Sequence, residues 1–180
     1  VGAIGGIAYA ARLPSVTVSS VTVDGAVRAD PEAIKTKIDT LLDGTYGLLV
    51  PKRLTYVVPR GSLSAALVEA FPEVAGAAVV RDGSRALNIR ILEREPVALW
   101  CLPSQGATDC YVLDAYGFIF DAASRVSGLR VYRGRVEVPI AATYLDGRFQ
   151  DFDALIERLE EASGRTIVDV TVDEMGDVFA

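Results

Sequence analysis

LNIRILEREPVALWCLPSQGATDCYVLDAYGFIF, residues 87–120, is the stretch that decides how this chain is divided. An alternating strand pattern runs into a charged corner, and after it come a second strand, a cysteine-flanked loop and a third strand. The four residues of the corner are Glu93, Arg94, Glu95 and Pro96. We therefore predict two units, residues 15–95 and residues 96–180, that succeed each other at this corner.

Composition excludes several classes of function. The 180 residues are 51% hydrophobic and 23% charged, which is typical of a folded protein. The net charge of -6 argues against a nucleic-acid partner, because such affinity comes from clustered Lys and Arg. The chain has no histidine, so Ser-His and Cys-His nucleophile pairs and imidazole zinc sites cannot form. We expect a non-enzymatic protein without a cofactor or metal.

The N-terminal run VGAIGGIAYAA carries no charge and is followed by Arg12 and Pro14. Eleven residues are too few to span a bilayer, which takes about 20 apolar residues. We interpret residues 1–14 as the outer end of a transmembrane or signal-anchor helix. A buried or disordered apolar N-terminus is the alternative. A cleaved signal peptide is disfavoured, because no basic region is visible upstream of the run.

The first unit has the pattern of one strand, two helices and two further strands. A strand with alternating valines is predicted from residue 15 onward. Asp30-Pro31 predicts a helix start, and the stripe that follows is apolar at helical spacing, formed by Ile34, Ile38, Leu41 and Leu42.

Residues 45–61 have the composition of an ordered loop. Ser62 is predicted to cap the second helix, whose apolar face includes Leu63 and Leu67. Two strands at 74–81 and 86–93 then flank an Asp82-Gly83 turn. A β-α-α-β-β order predicts a two-layer α+β sandwich.

Strands dominate the second unit, at residues 97–102, 110–114, 118–120, 129–138 and 166–172. Asp151 is predicted to cap its single helix, which ends at Gly164. The apolar face of this helix is formed by Phe152, Leu155, Ile156 and Leu159. We predict a mainly antiparallel β domain with one helix. It should be incomplete at its C-terminus, since the sequence stops where a turn at 173–177 leads into another strand.

Cys101 and Cys110 flank the turn-rich octet LPSQGATD between two strands that should pair as a hairpin. That arrangement brings the two side chains within disulfide reach. Closing a loop of about ten residues removes roughly 2.7 kcal/mol of denatured-state entropy in the chain-entropy model. We predict a structural disulfide, which points away from the cytosol. A redox-active pair or two free thiols are the alternatives.

Three further groups have a functional and a structural interpretation. Glu93 and Glu95 share one side of a strand, as paired glycosidase carboxylates would, or they belong with Arg94 to a structural corner. Carboxylates at residues 173, 174 and 177 suit calcium, yet they lack the EF-hand spacing, so a solvated turn is favoured. Trp100 has apolar neighbours at strand spacing and is assigned to the core rather than to a ligand platform.

The order of four short motifs resembles a known family. They are Val21-Thr22-Val23-Asp24-Gly25, Pro72-Glu73-Val74, Glu93-Arg94-Glu95-Pro96-Val97-Ala98 and Asp114-Ala115-Tyr116-Gly117-Phe118. In this order and spacing they resemble the extracytoplasmic part of the bacterial cell-division protein FtsQ, called DivIB in Gram-positive bacteria. Departures from that family are a longer loop at 45–61, the cysteine pair, and the missing C-terminal end.

The resemblance implies a single transmembrane helix, a POTRA domain of order β-α-α-β-β and a β domain. It implies a scaffold of the divisome in the cell membrane, with its folded part on the extracytoplasmic side. Its partners would be other divisome membrane proteins, of the FtsB and FtsL kind.

Partner binding by β-augmentation near the end of the β domain is also implied. The candidate edge residues are Thr166, Val168, Val170 and Val172. A POTRA module of an outer-membrane assembly or secretion apparatus is the first alternative function, and an extracytoplasmic cell-wall hydrolase is the second.

Overall fold

The fold belongs to the mixed α+β class, as predicted. The computed structural model of the protein describes residues 15–47, 50–102, 109–123, 128–134, 136, 138–173 and 175–179. The predicted membrane segment at 1–14 lies outside these ranges, as does Glu174 of the calcium alternative. The chain divides into two compact units, the first ending at Glu93 and the second beginning at Arg94. In the described ranges, no helix has the length and apolar character needed to cross a membrane.

Unit 1 has a three-stranded sheet and two longer helices. Its elements in chain order are β1 (Ser20–Asp24), α1 (Pro31–Leu41), β2 (Thr45–Tyr46), β3 (Val50–Pro51), α2 (Arg60–Ala70), β4 (Val74–Asp82) and β5 (Ala86–Glu93). The sheet has the order β1-β5-β4, with β1 parallel and β4 antiparallel to β5. Strands β2 and β3 form a small hairpin inside the predicted loop.

One core joins the helices of unit 1 to its sheet. The Asp30 side chain accepts a hydrogen bond from the Glu32 amide and caps α1, as predicted, with Pro31 at the first helical position. Both helices and β5 then contribute apolar side chains to this core, at the period of about 3.6 residues of a helix and the two-residue period of a strand. These buried residues are Ile34 and Ile38 of α1, Leu63 and Leu67 of α2, and Leu87, Ile89 and Ile91 of β5.

The start of α2 differs from its prediction. The helix begins at Arg60, two residues before the expected cap at Ser62, and Pro59 occupies the cap position without a side-chain hydrogen bond. The Ser64 hydroxyl of the same helix donates to the Ala77 carbonyl of β4. The prediction failed because it took the nearest capping side chain as the start. Capping side chains are common at helix starts but not obligatory, and α2 begins without one.

Gly25 shows why a glycine follows the valines of β1. Its φ is +84°, and a Cβ there would lie 2.3 Å from the carbonyl oxygen of Ile91. No other residue fits so close to a backbone oxygen at this φ. The chain can therefore leave β1 beside β5 and turn toward α1 only with glycine at this position.

Unit 2 contains a six-stranded sheet and one long helix. Its elements are β6 (Ala98–Cys101), β7 (Cys110–Leu113), β8 (Ile119–Ala122), β9 (Val131–Arg133), a 3₁₀ turn (Tyr144–Gly147), α3 (Phe149–Ser163), β10 (Asp169–Val172) and β11 (Val178–Phe179). The strand order is β11-β10-β9-β6-β7-β8. Three pairs are antiparallel, while β9 runs parallel to both β6 and β10. The sheet is thus mixed, because the chain crosses over twice to reach β9 and β10.

Both faces of this sheet are apolar. The face that packs against α3 carries the larger cluster, which includes Trp100, Leu113, Tyr132, Phe149, Ile156 and Val170. A smaller cluster on Leu99, Cys101, Val112 and Phe120 lies among the alternate residues of the same strands. Trp100 is fully buried in the larger cluster, as its assignment to the core predicted.

Helix α3 begins at Phe149, two residues before the predicted cap at Asp151. The chain reaches it through Leu145, Asp146 and Gly147, which all have positive φ. This left-handed turn sets the helix start instead of a capping side chain. Asp151 lies in the first helical turn, where its charge suits the helix dipole. Gly164 ends the helix in the left-handed conformation, as predicted.

Candidate functional site

Two of the recognised motifs contact each other inside unit 2. Arg94 donates from Nη1 to Asp114 Oδ2 at 2.6 Å, and both side chains are largely buried. The Arg94 guanidinium also lies over the Phe118 ring, 4.0 Å from its centroid. The second carboxylate oxygen of Asp114 accepts from the amides of Tyr116 and Phe118. Asp114 therefore holds its own turn and the arginine of the corner together.

Gly117 completes this turn. Its φ is +77°, and a Cβ would lie 2.6 Å from Phe149 Cβ and 2.8 Å from the Tyr144 carbonyl oxygen. The Gly117 carbonyl in turn accepts from the Tyr144 amide at 2.7 Å. The glycine of the Asp-x-x-Gly motif is thus required by the start of α3, which lies about thirty residues later in the sequence.

Glu93, the neighbour of Arg94, makes its hydrogen bonds in unit 1. Its Oε1 accepts from the amides of Val27 and Arg28 at 2.7 Å and of Ala29 at 3.0 Å. These amides lead into α1, so the carboxylate orders the connection between β1 and that helix. Such a structural use explains Glu93 without the glycosidase alternative. Glu95 is exposed. The role of the four corner residues as an interdomain joint stays a prediction.

The predicted disulfide between Cys101 and Cys110 is confirmed. The two residues are directly opposite in the β6–β7 ladder, with their Cα atoms 4.1 Å apart. The next pair along is hydrogen-bonded, from the Leu102 amide to the Asp109 carbonyl. The cysteines therefore occupy a non-hydrogen-bonded pair, where opposite side chains approach most closely. The bond closes the loop that contains residues 103–108.

A polar network links α3 to β9 and was missed by sequence reasoning. Arg130 donates to Asp153 Oδ1 at 2.5 Å, to Glu160 Oε2 at 2.7 Å and to the Ile167 carbonyl at 3.1 Å. Tyr132 donates to Asp153 as well. Burial and this hydrogen bond raise the pKa of Tyr132 well above its ordinary value, so the hydroxyl stays a donor. The partners are 20 to 40 residues apart, so no local pattern could have revealed them.

The candidate edge at residues 166–172 is not at the edge of the sheet. Strand β10, which holds Val170 and Val172, lies between β9 and β11 and pairs with both. Val170 is fully buried, and Thr166 and Val168 precede the strand. Strand periodicity shows which residues alternate but not which strands are neighbours, so it could not show that β10 lies between two other strands. A part for these four residues in partner binding remains a prediction.

Strand β11 is the open edge near the end of the described chain. Strand β10 pairs with it on one side, and its other side is unpaired in the described ranges. Asp173 donates its amide to the Asp177 carbonyl, so this pair of the ladder is hydrogen-bonded. The next pair, Val172 and Val178, is then non-hydrogen-bonded. The N–H and C=O groups of Val178 therefore point away from β10, toward the open side.

An apolar groove lies beside this edge, on the face covered by α3. Its volume is about 490 Å³, and its apolar lining residues are Leu145, Phe152, Leu155, Val172 and Val178. Leu155 is 50% exposed and Leu159, one turn later, is 48% exposed. Sequence periodicity placed both leucines on the buried face of the helix, but no strand of the described residues covers them. Phe179 on β11 is 59% exposed.

The edge and groove suit the binding of an extended segment. Main-chain hydrogen bonds would come from β11, and alternate side chains of the segment would enter the groove. Among the described residues, no three His, Cys, Asp or Glu side chains cluster as metal ligands. The chain matches no protein-family model, and no curated protein is significantly similar to it.

Proposed function

We propose that this protein is a membrane-anchored scaffold of the bacterial divisome, of the FtsQ/DivIB kind. Its folded part lies on the extracytoplasmic side and binds other cell-division membrane proteins, similar to FtsB or FtsL. The open edge of β11 with the apolar groove beside it is the observation that carries this proposal. The protein acts by binding, not by catalysis.

The order of elements in unit 1 supports the POTRA assignment. Apart from the small β2–β3 hairpin, the unit runs strand, helix, helix, strand, strand, and its last strand lies in the middle of the sheet. This matches the β-α-α-β-β order that the resemblance implies. The disulfide supports an extracytoplasmic location, because such bonds persist in oxidising compartments.

The contacts of the motifs support the same proposal. Arg94 of the Glu-Arg-x-Pro motif and Asp114 of the Asp-x-x-Gly motif form one ion pair. In unit 1, Val74 of the Pro72-Glu73-Val74 motif pairs with Glu93 of the Glu-Arg-x-Pro motif, across β4 and β5. Motifs that contact one another within each unit constrain the fold jointly. Their joint occurrence is therefore stronger support than any single one.

Partner binding is best tested at Val178, whose outward N–H the proposal uses. Val178→Pro removes that donor and leaves the β10–β11 hydrogen bonds in place, whereas Val178→Ala keeps it. Binding of the extracytoplasmic part of an FtsB-like or FtsL-like protein from the same organism is measured by isothermal titration calorimetry. A lost hydrogen bond contributes about 1 kcal/mol, and the proline ring obstructs the new strand as well. We expect at least about tenfold weaker binding for Val178→Pro.

Val178→Ala should change the affinity by less than about fivefold, since it removes only part of one apolar contact. Fluorescence of the buried Trp100 shows whether each variant keeps a folded unit 2. Equal affinity of the proline variant and the native protein would contradict binding at β11. Failure of the native protein to bind any such divisome protein would contradict the proposed function itself.

A further inference from the structure

The charge of the chain is divided unevenly between its two units. Residues 1–93 contain ten Lys and Arg against nine Asp and Glu, a net charge of +1. Residues 94–180 contain eight against fifteen, a net charge of -7. An asymmetry of this kind indicates that the two units face different electrostatic surroundings. Unit 1, unlike unit 2, is not repelled as a whole by an anionic neighbour.

The cations of unit 1 include a group around the point where the described chain begins. The Val18 amide donates to the Arg53 carbonyl, and the Thr55 amide donates to the Val16 carbonyl. The amide of Ser19 donates to the Arg85 carbonyl. Segments that contain Arg53 and Arg85 are therefore attached directly to residues 16–19.

Aromatic and apolar side chains are exposed among these cations. The Arg81 guanidinium lies over the Tyr56 ring, 4.7 Å from its centroid, and the ring is 60% exposed. Val57 is also exposed. We call Lys52, Tyr56, Val57, Arg81 and Arg85 the tyrosine–arginine surface. Tyrosine is enriched at membrane–water interfaces, and anionic headgroups attract Lys and Arg.

Acidic residues near this surface cancel only part of its positive charge. Arg53 is paired with Asp39 and is not counted in it. Asp82, the last residue of β4, and Asp43, next to the Gly44 whose carbonyl accepts from the Lys52 amide, oppose two of the three cations Lys52, Arg81 and Arg85. The sum is close to +1, on a chain whose net charge is -6.

We infer that the tyrosine–arginine surface contacts the anionic phospholipid headgroups of the membrane that anchors the protein. This inference rests on the proposed anchor at residues 1–14. The apolar run ends at Ala11, and five residues of extended chain reach at most about 18 Å from there to Val16. The surface therefore lies within reach of the bilayer to which the chain is tethered.

A modest charge is sufficient for a tethered surface. Each Lys or Arg close to an anionic bilayer strengthens binding about fivefold. The tether makes this contact intramolecular, so weak attraction is enough to hold unit 1 against the membrane. Unit 2, with its net charge of -7, is repelled by the same headgroups.

Vesicle binding of the 180-residue chain tests the inference. Cosedimentation is compared between vesicles of phosphatidylcholine alone and vesicles that also contain phosphatidylglycerol. We expect the native chain to bind the anionic vesicles more tightly than the uncharged ones. In Lys52→Gln/Arg85→Gln the ratio of the two affinities should fall at least about tenfold. The matched control is Arg158→Gln/Arg165→Gln, which removes two exposed cations from unit 2 and should keep the preference.

The outcomes separate this inference from the proposals on which it rests. The eleven apolar residues of the N-terminal run are too few to span a bilayer, so binding to uncharged vesicles is the background from which the anionic preference is measured. Equal binding of the native chain to both vesicles would overturn the inference, whether or not the anchor inserts. An equal loss in the two double variants would also overturn it, because net charge alone would then explain the preference. The divisome role is tested separately at Val178.

Discussion

Replacing Asp114 should destabilise unit 2 more than replacing an exposed carboxylate would. The side chain accepts from Arg94 Nη1 at 2.6 Å and from the amides of Tyr116 at 2.8 Å and Phe118 at 3.0 Å. Asp114→Ala leaves all three donors without this acceptor. Losing the acceptor costs about 1 kcal/mol of stability for each amide and about 2–3 kcal/mol for the partly buried guanidinium. The expected loss is about 4 kcal/mol, a large part of the 5–15 kcal/mol typical of a folded domain.

Asp114→Asn separates the two contributions. Its side-chain oxygen can still accept from the amides of the turn, while the ion pair with Arg94 is lost. We expect a loss of about 2 kcal/mol, between the native protein and Asp114→Ala. Asp121→Ala is the matched control, since this exposed carboxylate accepts only from the adjacent Ala122 amide. Its effect should stay below about 0.5 kcal/mol.

Urea unfolding followed by tryptophan fluorescence measures these losses. Trp100 is the single tryptophan and is fully buried in unit 2, so the signal reports that unit. A loss of 4 kcal/mol lowers the urea midpoint by about 2–3 M for a unit of this size. If Asp114→Ala unfolds at the same urea concentration as Asp121→Ala, the turn does not depend on this carboxylate. The assignment of Asp114 as the side chain that holds its turn and Arg94 together would then be wrong.

Two further predictions concern the same unit. Cys101→Ala/Cys110→Ala should lower the free energy of unfolding by roughly 2.7 kcal/mol and make the urea midpoint insensitive to reductant. In the native protein, reduction should lower this midpoint. A native midpoint unchanged by reductant would contradict a stabilising disulfide. Gly117→Ala should cost more than about 2 kcal/mol by thermal unfolding, because the new methyl meets Phe149 in addition to an unfavourable φ. Gly128→Ala, with φ +83° but nothing within 4 Å, should cost only about 1 kcal/mol. Equal costs for the two would show that the close approach at Gly117 does not matter.

Sequence reasoning succeeded where the cause of a structure is local. Asp30 and Pro31 predicted the start of α1 because capping depends on a few adjacent residues. Cys101 and Cys110 predicted their own bond because a short turn-rich loop between two strands brings its ends together. The starts of α2 and α3 were each wrong by two residues, because Pro59 and the left-handed turn at 145–147 start those helices without a capping side chain.

Sequence reasoning failed where neighbours are distant in the chain. Arg94 and Asp114 were recognised in separate motifs, yet nothing in either motif indicated that they pair. The helical period of Leu155 and Leu159 predicted burial, although burial also requires a neighbour to pack on. Among the described residues, β11 is the outermost strand on this side of the sheet, so these leucines border an open groove.

Local patterns in the sequence were enough to predict the α+β class, the start of α1 and the disulfide of this protein. Periodicity and capping act over one or two turns, and those distances are visible along the chain. Tertiary contacts determine that β10 is interior and that, in the part of the chain the structure describes, the outer side of β11 is unpaired, with the outward N–H of Val178 beside an apolar groove. Strand order depends on which segments meet across the whole unit, and many orders are compatible with the same alternating pattern.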